Sequence, residues 1–234
     1  MDLKANLEKF SKNLPLIRCF TSEAINDEDW KDIQDAVQKS MKDNTSLERE
    51  DVKISDFESL NLYSYVEEIE DITMKAEKKY SLQQKLKQMK DEMKVFQLEQ
   101  ADYKGITWLI RGWDEINTKL DDQTVATQAM LGSSFMKGRL KNETKAWEGK
   151  LNLMSELADE ILKVQRNWMY LEPIFSSGDI SATMPLEYKM FVEVDTLWKT
   201  TMKGIEDDPG LIDLADKEGI MQHFQEANKK LDKI

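Results

Sequence analysis

The sequence of 234 residues has one cysteine, one histidine, four prolines and nine glycines. A single cysteine, Cys19, excludes a disulfide within the chain and is typical of proteins from a reducing compartment. With His223 as the only histidine and Cys19 as the only cysteine, a zinc site of the usual nitrogen and sulfur ligands cannot be assembled. A Ser-His-acid triad would have to use His223, which is better interpreted as a surface side chain. The scarcity of proline and glycine predicts long, uninterrupted elements.

Two further features are missing. No apolar run approaches the roughly 18 residues of a membrane span, and the N-terminus lacks a signal-peptide core. Lys and Arg are outnumbered by Asp and Glu, which gives a net charge of -12. The sequence therefore has no cationic surplus to neutralise the phosphates of a nucleic acid. We expect a soluble cytoplasmic protein with protein partners, and neither nucleic acid nor membrane among them.

No motif in the sequence predicts an active or binding site. The string GSSFMKGR at 132–139 is the nearest to a phosphate-binding loop, but its second glycine is displaced and Arg139 stands in the wrong place. It is better interpreted as a turn between helices. Cys19 lies beside Arg18, which would favour a thiolate, yet a small buried side chain is the favoured interpretation. We therefore predict no catalytic, cofactor-binding or metal-binding residue.

What is present is helical periodicity. After a candidate N-cap at Asn26, apolar residues from Trp30 to Met41 recur three and four apart and predict a helix. The polar stretch 42–51 is expected to be a loop. A second helix is predicted from about Leu62 to Met93, capped near Asn61.

The periodicity changes to alternation between residues 94 and 112. The strings KVFQL (94–98) and ITWLIRG (106–112) alternate, and residues 102–105 supply turn chemistry between them. This pattern predicts a β-hairpin. Two short helices, WDEINTKL and DDQTVATQAML, should follow and end at the turn that starts with Gly132.

The longest predicted helix begins near Arg139. A seam of large apolar residues seven apart, joined by Trp198 of the next helix, predicts a packed interface. Pro173 is expected to end this helix, because proline has no N–H and clashes with the preceding turn. About 30 residues would then make a rod of roughly 45 Å. The candidate seam residues are Trp147, Met154, Ile161 and Trp198.

Two more helices complete the prediction. One starts near Pro185 and reaches Gly204, and the other carries an apolar stripe from Ile220 to Ile234. Because that stripe is still running at the last residue, we expect the chain to continue beyond it. The predicted fold is mainly α, an elongated helical bundle or arm with a small β-hairpin insertion. We divide it into 1–93, 94–112 and 113–234, although the hairpin is equally consistent with an insertion in one helical domain.

The stretch WMYLEPIFSSGDI at 168–180 combines aromatic residues, a proline and a polar turn. We interpret it as a rigid structural corner in which Trp168, Tyr170 and Phe175 interlock around Pro173. The candidate corner residues are Trp168, Tyr170, Leu171, Pro173, Ile174, Phe175, Asp179 and Ile180.

This corner carries a family resemblance. The strings VQRNWMYLEPIFSSGDI and MPLEYKMFVEVDTLWKTTM closely resemble the N-terminal part of the linker region of dynein heavy chains. Upstream, KLDDQTVATQAMLGSSFMKGR (119–139) and AWEGKL (146–151) resemble the same family in the same order. The likeness covers about residues 13–234, and the proline in LEPIF is more similar to axonemal than to cytoplasmic dyneins.

The resemblance implies a mechanical role. In dyneins the linker is a mostly helical arm that crosses the ring of ATPase modules and carries ATP-driven motion to the tail. We would then expect a non-catalytic segment with no cofactor of its own, since ATP and Mg belong to the parent motor ring. Its partners would be the ring and tail of the same heavy chain, with microtubules reached only through the parent motor in the cytoskeleton of a ciliary axoneme. The alternative is a free-standing helical scaffold or adaptor that binds partner helices.

Overall fold

The computed structural model describes residues 3–38, 52–177 and 179–234. Within these ranges it contains ten α-helices, one 3-10 helix and one two-stranded antiparallel sheet, so the predicted mainly-α fold with a hairpin is confirmed. The predicted loop at 42–51 lies outside the described residues. The elements are α1 (Leu3–Phe20), α2 (Asp27–Gln38), α3 (Ile54–Ser59), a 3-10 helix (Leu62–Tyr65), α4 (Val66–Lys94), β1 (Gln100–Tyr103), β2 (Thr107–Ile110), α5 (Trp113–Leu131), α6 (Gly138–Phe175), α7 (Ile180–Thr183), α8 (Pro185–Asp207), α9 (Leu211–Asp216) and α10 (Ile220–Leu231).

The chain divides into two compact units. The first takes residues up to 85 with 134–136, and the second takes 86–133 with 137–234. This division falls inside α4, whereas the sequence analysis set its first boundary at 93. Whether 1–93, 94–112 and 113–234 behave as separate folding units stays a prediction.

The first unit forms around the inner faces of α1 to α4. Its α2 begins where the sequence predicts, because the Asn26 side-chain oxygen accepts hydrogen bonds from the backbone N–H groups of Glu28 at 2.8 Å and Asp29 at 3.0 Å. The Asp29 carboxylate accepts the Asn26 N–H in return, which satisfies donors that a helix start leaves open. The buried core residues are Leu16, Cys19, Ile25, Trp30, Ile33, Val37, Phe57, Leu62, Ile69 and Ala76.

The second unit is organised around α6, a helix of 38 residues that is about 57 Å long at 1.5 Å per residue. Helices α5, α8, α9 and α10 all pack against it. The prediction that Pro173 ends α6 is wrong, since the helix continues to Phe175. Because Pro173 has no N–H, the carbonyl of Met169 loses its helical donor, but both residues lie on the exposed side of α6. Phe175 is buried and holds the last turn of the helix against the core.

The hairpin is present, but its first strand starts later than predicted. Strand β1 begins at Gln100, and the turn consists of Lys104 and Gly105, both with positive φ, followed by Ile106. Gln97 bridges to Gly210 and the Leu98 N–H donates to the Pro209 carbonyl at 2.8 Å. Gln97 and Leu98 therefore pair with the turn after α8 and not with β2, a long-range contact that alternation cannot reveal.

Helix α5 replaces the two short helices that the sequence analysis predicted. It runs without interruption from Trp113 to Leu131 and ends before Gly132 as expected. Asp121 and Asp122, which suggested a new helix start, lie exposed in its middle beside the buried Leu120. Solvated acids are compatible with a helix interior, so an acidic pair alone does not mark an N-terminus.

Candidate functional site

The end of α6 holds the predicted corner, and its residues fall into two groups. Trp168 and Phe175 are buried and Leu171 and Ile180 are half-buried. The exposed members are Tyr170, Pro173, Ile174 and Asp179. Trp168, Leu171 and Phe175 are three and four residues apart, so they share the face of α6 that points into the second unit.

Trp168 is the centre of an aromatic cluster built from three different elements. Its ring stacks on Trp198 of α8, with centroids 5.8 Å apart, and meets the edge of Tyr103 in β1 at 5.2 Å. Its indole N–H donates to the Asp195 carboxylate at 3.0 Å, and the same carboxylate binds Lys199 at 2.8 Å. The fully buried Trp168 therefore ties α6 to α8 and to the hairpin at one point.

A second aromatic contact closes the corner further along. The Phe175 ring stacks on Phe191 of α8, with centroids 4.8 Å apart and an interplanar angle of 18°. Both side chains are buried. Two stacked pairs, one at Trp168 and one at Phe175, thus hold α6 and α8 together over about two turns of α6.

Tyr170 does not join this cluster, contrary to the expectation that it interlocks with Trp168 and Phe175. Its side chain is 74% exposed. Residues two apart on a helix are separated by about 200° and point to opposite sides, so the sequence spacing itself placed Tyr170 away from Trp168. The aromatic partners are supplied instead by Tyr103, Trp198 and Phe191, which the corner motif does not contain.

A buried carboxylate was missed by the sequence analysis. Glu172 is nearly fully buried and accepts hydrogen bonds from Lys104 at 3.0 Å, from the Tyr103 hydroxyl at 3.3 Å and from the Ser176 hydroxyl at 2.9 Å. Burial disfavours its charged form, but the hydrogen bonds from Lys104 and Ser176 outweigh burial and lower the pKa of Glu172 below its ordinary value. The sequence does contain one indication that Glu172 is buried, because it lies four residues after Trp168 and therefore on the same side of α6.

The hairpin is also held at its other end. The buried Gln165 side chain accepts the Ile110 N–H at 2.9 Å and donates to the Ile110 carbonyl at 3.1 Å. The side-chain amide of Gln165 therefore satisfies both the N–H and the carbonyl of Ile110 at the edge of the sheet, as a neighbouring strand would do. Gln100 adds a bond from β1 to the Met202 carbonyl of α8 at 2.8 Å.

The predicted seam lies in the core of the second unit. Trp147, Met154, Ile161 and Trp198 are all buried. Trp147, Met154 and Ile161 lie on one stripe of α6, and Trp198 belongs to α8, which packs against α6; this is the buried environment that a heptad-like apolar stripe indicates. Their contribution is apolar packing, not chemistry.

The described residues contain no group of three or more His, Cys, Asp and Glu side chains that could hold a metal ion. Within that same part of the chain no helix combines the length and the apolar character needed to cross a bilayer. Burial raises the pKa of the Cys19 thiol above its ordinary value, which agrees with a core side chain and not with a reactive thiolate. What the corner provides is a set of side-chain contacts that join α6 to α8 and to the hairpin.

The fold and this site define a helical protein whose distinctive feature is a packed junction of aromatic side chains. The whole chain, residues 1–234, matches the family described as dynein heavy chain, N-terminal region 2, and it belongs to that family. The resemblance to dynein heavy chains is thereby confirmed, and the axonemal heavy chains among its relatives confirm the axonemal type.

Individual relatives support the same assignment. The chain is 34% identical over 234 residues to dynein axonemal heavy chain 3 of Mus musculus and 32% identical over 238 residues to dynein axonemal heavy chain 6 of Homo sapiens, alignments that cover 100% and 99% of this chain. It is 40% identical over 176 residues, 75% of the chain, to dynein axonemal heavy chain 12 of Rattus norvegicus. It spans only 6% of the length of each of these relatives.

Proposed function

We propose that this chain is a non-catalytic mechanical segment of the linker of an axonemal dynein heavy chain. It passes motion that ATP drives in the ring to the tail, for motility along microtubules in the ciliary axoneme. Its direct partners are the ring and the tail of the same heavy chain, and microtubules are reached only through the parent motor. ATP and Mg act in the ring of that motor, and this segment uses no cofactor of its own.

The observation that carries this proposal is the way the end of α6 is fixed. An element that transmits force keeps its angle to its neighbours under load. The corner at the end of α6 holds its angle through two stacked aromatic pairs, an indole N–H that donates to Asp195, and the buried Glu172 that accepts from Lys104 at the hairpin tip. Buried and desolvated contacts yield little to small displacements because close-packed interiors have low compressibility.

The test compares two aromatic residues on the same helix. In the parent heavy chain, Trp168→Ala removes the centre of the junction, whereas Tyr170→Ala removes an exposed side chain two residues away. We expect Trp168→Ala to keep ATP hydrolysis in the ring but to lower the velocity of microtubule gliding at least about threefold, a change of roughly 0.7 kcal/mol in coupling. Tyr170→Ala should leave both rates unchanged.

Three outcomes oppose the proposal. If hydrolysis and gliding fall in the same proportion in Trp168→Ala, the residue supports the motor as a whole and does not couple motion. If neither changes while the junction is shown to be loosened, the segment carries no load and the scaffold function takes its place. A stoichiometric complex of ATP with the isolated chain would overturn the non-catalytic assignment.

A further inference from the structure

Helix α1 has two apolar faces. Leu16 and Cys19 point into the core of the first unit and are at most 3% exposed. Leu7, Phe10 and Leu14 lie on another face and are 60%, 55% and 47% exposed. The described part of the chain therefore covers one of these faces and leaves the other in solvent, where large side chains grouped together mark an interaction surface.

The spacing of the exposed face is that of a helix-packing seam. Leu7, Phe10, Leu14 and Ile17 follow one another at intervals of three, four and three, the a and d pattern of heptad repeats. Ile17 is half-buried against the core of the first unit, so the seam starts at the core and runs outwards along α1. A stripe of this width and spacing fits a second helix along its whole length, whereas a strand repeats every two residues.

The charge around the seam indicates what kind of helix fits. Residues 3–20 contain four basic residues and one acidic residue, although the whole chain has a net charge of -12. Of the basic residues, Lys12 does not flank the seam, because its Nζ lies over the Tyr63 ring, 4.3 Å from the centroid. Lys4 and Arg18 are fourteen residues apart, two heptads, and so lie on the same flank of the seam. The Arg18 side chain is 78% exposed and pairs at 3.5 Å with one carboxylate, which leaves most of its guanidinium open to solvent.

We propose that the α1 seam, formed by Leu7, Phe10 and Leu14, docks a partner helix whose apolar heptad stripe is flanked by Asp and Glu. The apolar stripe supplies the buried area, and the acidic flanks set partner choice and orientation against Lys4 and Arg18.

Two other occupants fit the seam less well. The α1 of a second copy would bring another basic helix to the seam without acidic flanks, and in the antiparallel arrangement Lys4 would face Arg18. A membrane surface needs a broad apolar face, but the opposite side of α1 is committed to the core and the acidic remainder of the chain is repelled by anionic lipid. Complementary charge and a matching stripe meet only in an acidic amphipathic helix.

The experiment uses the full chain and two synthetic peptides. Each peptide has about four heptads with Ile and Leu at a and d, and Glu fills positions e and g in one and Lys in the other. Fluorescence anisotropy of the labelled peptides, titrated with the chain at low salt, gives the dissociation constants. Phe10→Asp and Leu7→Asp test the seam, and Val125→Asp, at a 65% exposed apolar residue of α5, is the matched control.

We expect the Glu peptide to bind at least about tenfold more tightly than the Lys peptide, and each seam variant to weaken it at least about tenfold. Val125→Asp should bind like the unchanged chain. Thermal melting checks that the variants stay folded, which is expected because the substituted side chains are already exposed.

Three results would overturn the proposal. Equal binding of the two peptides would show that charge does not select the partner. Binding that survives both seam substitutions would show that the peptide binds elsewhere on the chain. The third result is that the seam binds a second copy of the chain or a membrane in place of the Glu peptide. A dimer in sedimentation that Phe10→Asp dissociates assigns the seam to a second copy. Binding to phosphatidylserine vesicles without binding of the Glu peptide assigns it to a membrane.

Discussion

Truncation of Trp168 is the substitution with the largest expected effect on stability. The side chain is fully buried, stacks on Trp198, meets the edge of Tyr103 and donates to Asp195. Replacing a buried tryptophan with alanine removes its apolar burial and leaves a cavity, at a cost of about 3–5 kcal/mol. The carboxylate of Asp195 also loses one of its donors.

A second substitution separates packing from hydrogen bonding. Trp168→Phe keeps an aromatic ring in the cluster but removes the N–H donor to Asp195, which still binds Lys199. Hydrogen bonds to charged groups contribute about 1.5–3 kcal/mol, so the cost of Trp168→Phe should lie near the lower end of that range, plus a smaller term for lost volume. Tyr170→Ala, at an exposed position, should change the free energy of unfolding by less than about 0.5 kcal/mol.

Urea unfolding followed by far-UV circular dichroism measures all three variants. The expected order of destabilisation is Trp168→Ala, then Trp168→Phe, then Tyr170→Ala. If Trp168→Ala unfolds at the same urea concentration as Tyr170→Ala, the aromatic cluster does not hold the second unit together and our account of the junction is refuted.

Three further predictions follow from the polar contacts. Gln165→Leu should expose the Ile110 amide to hydrogen exchange and cost about 2–3 kcal/mol, because two buried backbone groups lose their partners. The lowered pKa of Glu172 means that the unfolded chain binds its proton more readily. Stability from the Lys104 contact should therefore be full above the ordinary carboxyl pKa and be lost as pH falls through the lowered one, a pH dependence that Glu172→Gln removes from the unfolding curves. Asn26→Ala should destabilise the first unit by about 1 kcal/mol in urea unfolding, while Asn26→Asp keeps the cap.

The local features of this fold can be predicted from the sequence. Asn26 begins α2 because its side chain satisfies the first N–H groups, and Pro185 begins α8 because proline is tolerated in a first turn. The heptad spacing from Trp147 to Trp168 identifies the buried face of α6. Each of these follows from interactions within a few residues of the chain.

The features that the sequence analysis missed depend on distant partners. Residues 97 and 98 pair with the turn after α8, which shifts β1 along the chain. The aromatic neighbours of Trp168 come from positions 65 residues before and 30 residues after it in the sequence. A motif can identify the corner, but which rings meet there is decided by tertiary packing.

Tyr170 and Glu172 are two positions that helical spacing alone distinguishes. Both belong to the corner motif, but only Glu172 is four residues from Trp168 and shares its face of α6. Helical geometry alone assigns Glu172 to the interior and Tyr170 to solvent. The buried carboxylate of Glu172 then requires hydrogen-bond donors, and Lys104 at the hairpin tip is one of them.

The proposed function requires this segment to move relative to the ATPase ring as nucleotide turns over. A fluorophore at position 95, where the Val95 side chain is 77% exposed, and a second on the ring of the parent heavy chain would report that motion by energy transfer. We expect two transfer efficiencies, one without nucleotide and one with ATP bound, that interconvert during hydrolysis. A single efficiency in all nucleotide states would contradict the mechanical function.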